Sequence, residues 1–220
     1  MDLSIEECSD DDMLRTFEII SAAFCHEHPY IEAVFPSHDS SMGRVAGGAR
    51  MLAIKRTDPH TIFIKAVDKA TGLMIGQAKW NIYDGVVPAE VELEGNFWDT
   101  ADEKEFAQHL YREYLVPRRT AVRELGGKVI SLDILTVDPE YQKRGAGRLL
   151  VRWGTALADK TGVETVVEAS EYGLELYRSE GFEVKRRYEI CLPEKWAERD
   201  TQRFIWMVRP AKKIDQGAQC

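Results

Sequence analysis

The sequence predicts a mixed α/β fold in which helices flank one sheet, on three observations. Residues 129–137, Val-Ile-Ser-Leu-Asp-Ile-Leu-Thr-Val, form the most strand-like run in the chain and lead through a glycine-bearing turn into an amphipathic helix. Strand and helix patterns are interleaved from Leu3 to Val208 rather than segregated into halves. The composition, 44% hydrophobic and 30% charged over 220 residues, is that of a globular chain. A chain of this length buries about 70% of its unfolded surface. One domain over residues 1–210 is expected, followed by a polar tail at 211–220.

The elements follow in order. Leu3-Ser4-Ile5-Glu6 alternates apolar and polar residues, the period of a half-buried strand. Ser9-Asp10-Asp11-Asp12 offers side-chain oxygens for capping, and a helix follows over 13–24. Pro29, Pro36 and the polar stretch 37–41 mark a loop, with a second helix at 44–55. Residues 61–67 and 73–83 read as paired strands across a turn at 69–72. From Asp84 to Glu105 the chain is acidic and carries Gly and Pro, as long surface loops do. A helix over 103–125 stops at Gly126-Gly127, where the central strand 129–137 begins. Helix 145–161, strand 163–168, short helix 174–179 and strands 182–190 and 204–208 complete the pattern.

Charge and cysteine usage narrow the function classes. Lys and Arg number 29 against 37 Asp and Glu, a net charge of −8, so the average surface repels phosphate backbones and no nucleic-acid partner is expected. No apolar run approaches the roughly 18 residues of a membrane span, and Met1-Asp2-Leu3-Ser4-Ile5-Glu6-Glu7 lacks the regions of a signal peptide. A soluble cytoplasmic protein with no membrane partner is the expectation. Cys8, Cys25, Cys191 and Cys220 show neither C-x-x-C pairing nor His at zinc-finger spacing, so no metal is expected. Cys25 and His26 are neighbours in sequence, but adjacent helical residues point in different directions.

The chemistry is concentrated in Val137 to Leu150. A strand ends there, Gln142, Lys143 and Arg144 lead through Gly145 and Gly147, and a helix begins. Free amides at a helix start, reinforced by the helix dipole, form a site for a phosphate or pyrophosphate. The glycines let backbone approach the anion, and Lys143 and Arg144 add positive charge. A dinucleotide fingerprint is imitated by Gly145-Ala146-Gly147-Arg148-Leu149-Leu150, with Glu168 about 20 residues on. Its third glycine is missing, and the turn from Val137 is too long. The G-x-x-x-x-G-K-[ST] pattern is absent.

Gln142-Lys143-Arg144-Gly145-Ala146-Gly147 resembles the Q/R-x-x-G-x-G/A pyrophosphate loop of the GNAT-type N-acetyltransferases, and Tyr177-Arg178-Ser179-Glu180-Gly181-Phe182 resembles their Y-x-x-x-G-F segment. One helix and one strand lie between the two motifs, as in that family, and the similarity extends over nearly the whole chain. Ala78-Lys79-Trp80 and Glu168-Ala169-Ser170 resemble fungal small-molecule members. The resemblance implies a three-layer fold with a central, mostly antiparallel, splayed sheet flanked by helices. It implies acetyl-CoA as co-substrate and a small-molecule amine as acceptor, in a monomer or homodimer. Pantetheine would lie along Leu135, Thr136 and Val137, and the diphosphate against Gln142, Lys143, Arg144, Gly145, Ala146, Gly147 and Arg148. Ser170 and Tyr177 would also border the cofactor.

The implied reaction is direct attack of the amine on the acetyl carbonyl, so two protons must move. Tyr177, placed by the second motif, is the candidate acid for the departing thiolate. Asp133 and Glu168 are candidate bases, with a water chain as the alternative. Asp133 shares a predicted strand face with Ser131 and Leu135, where a raised pKa would suit a base and an ion pair to an arginine such as Arg123 would not. His26, His28 and His38 would border the acceptor pocket, with Trp80, Tyr83, Phe97 and Trp98 as possible walls. The acidic stretch from Glu90 to Glu105 would attract a cation or simply be a solvated surface. Two rivals stand beside this reading: a non-catalytic acyl-CoA sensor and a dinucleotide-binding oxidoreductase.

Overall fold

The computed structural model describes residues 2–212, so most of the expected tail at 211–220 lies outside the described residues. Seven strands form one sheet in the order β1-β2-β3-β4-β5-β7-β6, with β1 Leu3–Glu7, β2 Thr61–Asp68, β3 Leu73–Asp84, β4 Lys128–Val137, β5 Glu164–Ala169, β6 Glu183–Glu189 and β7 Arg203–Arg209. Every neighbouring pair is antiparallel except β4 with β5, which are joined by a helical crossover as a parallel pair requires. The most strand-like run of the sequence is thus the central strand.

The helices are α1 Met13–Phe24, α2 Pro29–Val34, α3 Ser41–Thr57, α4 Ala101–Glu124, α5 Ala146–Thr161 and α6 Leu174–Ser179. Helices α1, α3 and α4 cover one face of the sheet and α5 covers the other, giving three layers. Leu150, Val151 and Ala158 of α5 pack on Ile64, Ile75, Trp80, Ile130 and Leu132, all essentially inaccessible to solvent. On the other face Met13, Phe17 and Ile20 of α1 pack with Met51 of α3 and Phe63 of β2. Trp80 belongs to the α5 core, against Trp153 and Gly154, and is not a pocket wall. No helix among the described residues is long and apolar enough to cross a membrane.

Two expectations need correction. The segment after α1 is not wholly loop: Pro29 opens the short helix α2, whose Ile31 and Val34 are buried. Proline is favoured in a first turn because its missing N–H would have had no partner there. Asp12 precedes α1 but does not cap it, because its Oδ2 is taken by the Ser9 amide and hydroxyl and by Lys65. The start of α4 is built differently, with Thr100 and Glu103 forming a reciprocal capping box.

Candidate active site

Strands β4 and β5 part company half-way along. They pair from Val129↔Glu164 to Leu132↔Val167 and no further, while β5 continues through Glu168 and Ala169 beside β7. From Asp133 to Val137, β4 therefore pairs only with β3, and its edge toward β5 is free. Such an edge offers unpaired backbone N–H and C=O groups to an extended amide-bearing ligand. Thr136 turns its hydroxyl to Gln77 Nε2 at 2.8 Å, so only its backbone is left for that edge.

At the far end of β4 the chain turns into α5. Lys143 has φ +58° and Gly145 φ +96°, both in the left-handed region. Only glycine adopts that region without strain, and no atom lies within 4 Å of where a Cβ on Gly145 would stand. Among the described residues, the backbone N–H groups from Gln142 to Arg148 find no carbonyl partner, the ordinary state of a helix start. Gln142 is tied back to the Val137 carbonyl, Arg144 to the Glu140 carbonyl and Arg148 to Glu180. Lys143 has no such tie among the described residues. A row of free amides with one uncommitted ammonium, open above Gly145, fits a diphosphate.

Arg118 of α4 stands across the fork between the strands. Its Nη1 donates to Asp133 of β4, and its Nε and Nη2 donate to Glu168 of β5. Lys79 donates to the other Asp133 oxygen at 2.6 Å. Arg118 and Glu168 are buried. The raised pKa expected for Asp133 is reversed: burial pushes its carboxyl up, but Arg118 and Lys79 outweigh burial and hold it well below the usual carboxylate range. Glu168 moves the other way, because burial, aided by the Asp133 charge, exceeds the pull of Arg118. The partner of Asp133 is Arg118 and not Arg123, which pairs with Glu90.

Asp133 shares the face of Ser131 as expected, but not that of Leu135. The β3–β4 register slips between Lys79↔Ile134 and Trp80↔Leu132, leaving Asp133 as the extra residue of a bulge. Asp133 and Ile134 consequently both face the α1–α4 layer, whereas Leu135 packs in the α5 core.

A cavity of about 780 Å³ opens from this fork. Leu135, Ser170 and Tyr177 line it together with Asp133, Arg118 and Glu168, and Tyr30, Tyr83, Tyr111 and Tyr114 add aromatic walls. The Tyr177 ring is buried against Gly173 and Phe182, and burial raises its phenol pKa. Among the described residues its hydroxyl has no hydrogen-bond partner. Ser170 caps the next turn by accepting from the Gly173 amide at 3.3 Å.

Of the three histidines, His28 lines this cavity, buried and held neutral with a pKa lowered to about 4 by desolvation. His26 and His38 lie apart, both on Glu32 Oε1 at 2.9 and 2.7 Å, with His38 Nδ1 on Ser21. Trp98 packs under α2 with its Nε1 on the Ala33 carbonyl, and Phe97 stacks on Arg50. The acidic stretch is largely neutralised. Glu90 pairs with Arg119 and Arg123, Glu92 with Arg112, Glu94 with Lys104 and Glu105 with Lys195.

The profile of the Acetyltransferase (GNAT) family matches residues 7–182. The chain belongs to that family. This GNAT protein is 31% identical over 184 residues to an acetyltransferase of the fungus Stachybotrys chartarum, covering 79% of this chain and 75% of that one. Its fold matches a Drosophila melanogaster polyamine N-acetyltransferase at TM-score 0.64 with 14% identity, covering 94% and 99% of the two chains. It also matches a Sinorhizobium meliloti phosphinothricin acetyltransferase, solved with AcCoA, at TM-score 0.56 with 14% identity over 99% and 95%.

Sequence reasoning missed Arg118, Tyr30, Tyr114 and the role of Lys79. One signal for Arg118 was available: Ala107, Leu110, Tyr114, Arg118 and Val122 recur at helical spacing and are all buried, so an arginine occupies a core stripe.

Proposed function

We propose that this GNAT protein transfers the acetyl group of acetyl-CoA to the primary amine of a small molecule, by direct attack within a ternary complex. The observation that carries the reading is the free edge of β4 from Asp133 to Val137, which connects the unpartnered amides at 142–148 to the cavity that Tyr177 lines. The solved relatives support it: one is a polyamine N-acetyltransferase and another was solved with AcCoA. When bound, acetyl-CoA supplies the activated acetyl thioester. The Gln142–Arg148 amides hold the diphosphate, and the β4 edge holds the pantetheine amides as an added strand would be held.

Tyr177 is the proton donor to the departing thiolate. Burial keeps the phenol protonated, and its hydroxyl has no hydrogen-bond partner among the described residues that line the cavity. Of the two carboxylates lining the same cavity, Glu168 is the better proton acceptor, since the environment raises its pKa and lowers that of Asp133. Asp133 instead fixes Lys79 and Arg118. The amine proton leaves through cavity water toward Glu168. A panel of primary amines offered with acetyl-CoA tests the reading, followed by free-thiol release and by mass of the acetylated amine. Product from at least one amine is expected. Tight acetyl-CoA binding with no product across a broad panel would make the chain a sensor.

A further inference from the structure

We infer that Arg50 is the recognition site for an anionic group on the acceptor, and that the preferred acceptors are amines carrying a carboxylate. The inference rests on the acetyl-transfer reading above and names its substrate class.

The cavity's charges lead to it. Asp133 and Glu168 are occupied by Arg118 and Lys79, and Glu90 by Arg119 and Arg123. Asp58 accepts from the His60 amide at 2.9 Å and the Thr61 hydroxyl at 2.7 Å. No carboxylate lining the cavity is left to hold a substrate ammonium. Arg50, which also lines the cavity, has no acidic partner among the described residues. Among the described residues two charges lining the cavity lack an ion partner, Asp58, whose oxygens are taken by the His60 amide and the Thr61 hydroxyl, and Arg50, which keeps N–H donors free.

The setting of Arg50 selects the ligand's shape. Its Cζ lies 4.0 Å from the Phe35 ring centre and 4.5 Å from that of Phe97, so two aromatic rings pack on the guanidinium. Nη1 is fixed to the Val34 carbonyl at 2.6 Å. The remaining N–H donors form a planar fork whose position the Val34 carbonyl and the two rings restrict. A carboxylate meets such a fork through two parallel hydrogen bonds. Burial already lowers the Arg50 pKa to about 10, a desolvation cost that an anion in the cavity would offset. The walls formed by Tyr30, Tyr111 and Phe24 suit an apolar body between the reacting amine and the anion.

The test compares ω-amino carboxylates and α-amino acids with their carboxamides, and with the matching phosphonates, by kcat/KM and by calorimetric titration into the CoA-loaded protein. A charge-assisted bidentate pair predicts a preference of about 10- to 100-fold for the carboxylate over the isosteric amide. In Arg50→Met that ratio falls toward one, whatever the absolute rates, while Arg50→Lys retains part of it. A structural arginine would instead lower carboxylate and amide alike. A ratio near one in the unaltered protein, or one unchanged in Arg50→Met, overturns the inference. A phosphonate preferred over the carboxylate overturns the planar-fork argument. If no amine is acetylated but the carboxylates still bind more tightly through Arg50, acetyl transfer fails while the anion site stands. If nothing binds, the anion site fails as well.

Discussion

Replacing Arg118 with methionine removes a group that bridges both arms of the β4–β5 fork. Methionine keeps the length and the apolar contacts of the side chain, so the change isolates the guanidinium. Lys79 still neutralises Asp133 at 2.6 Å, but Glu168, whose side chain is fully buried, is left without a cation. Breaking a buried pair from one side costs about 3–5 kcal/mol, and at about 2–4 °C per kcal/mol for a chain of this size the Tm falls by roughly 6–20 °C. The loss depends on pH. Without Arg118 the Glu168 pKa rises further above its unfolded value, so its contribution is most favourable at low pH and is lost as pH rises through the folded pKa. The gap between variant and parent therefore narrows by up to about 1.4 kcal/mol per pH unit as Glu168 takes up its proton. Urea unfolding at pH 5 and pH 8 measures this, and Glu168→Gln on the Arg118→Met background should recover part of the loss. A cost below about 1 kcal/mol, or equal costs at both pH values, would refute the reasoning.

Two further outcomes are expected. Tyr177→Phe should lower kcat about 100-fold with KM for acetyl-CoA nearly unchanged, because the lost hydroxyl binds nothing in the chain; unchanged turnover across pH removes Tyr177 from the chemistry. His28→Phe should flatten the stability profile on the acid side. The His28 pKa lies near 4 folded and 6.5 unfolded, so its contribution is complete above 6.5 and is lost as pH falls toward 4, by about 3 kcal/mol. If parent and variant lose stability in parallel over that range, His28 is not the group responsible.

Element type was legible wherever pattern and punctuation agreed. The strands at 61–68 and 73–84 and the central strand were bounded by Gly-bearing turns, and α1 and α6 match their expected spans. Helix α2 was hidden because prolines mark both loops and first turns, and only the burial of Ile31 and Val34 separates the two. The left-handed turn at Lys143 to Gly145 was readable because glycine spacing is a local property of the backbone. Leu135 was misplaced relative to Asp133 because strand alternation assumes an unbroken register, and the bulge at Asp133 that sends Leu135 to the other face depends on how β3 pairs with β4. The fork between β4 and β5 and the ion network across it join residues 50 positions apart, a distance that no window along the chain spans.

The account is tested most directly by calorimetric titration of acetyl-CoA into the purified protein and into Gly147→Asp. An aspartate in the first turn of α5 favours the helix dipole and puts a carboxylate where it competes with a diphosphate for the free amides; its Cβ would press on the Leu176 side-chain end at 3.3 Å, so circular dichroism of the variant accompanies the titration. One acetyl-CoA site per chain, at least about 10-fold weaker in the variant, with no heat from NAD or NADP, is the predicted result. No heat from acetyl-CoA with the fold intact, or equal affinity in the two proteins, would contradict the assignment of the 142–148 turn.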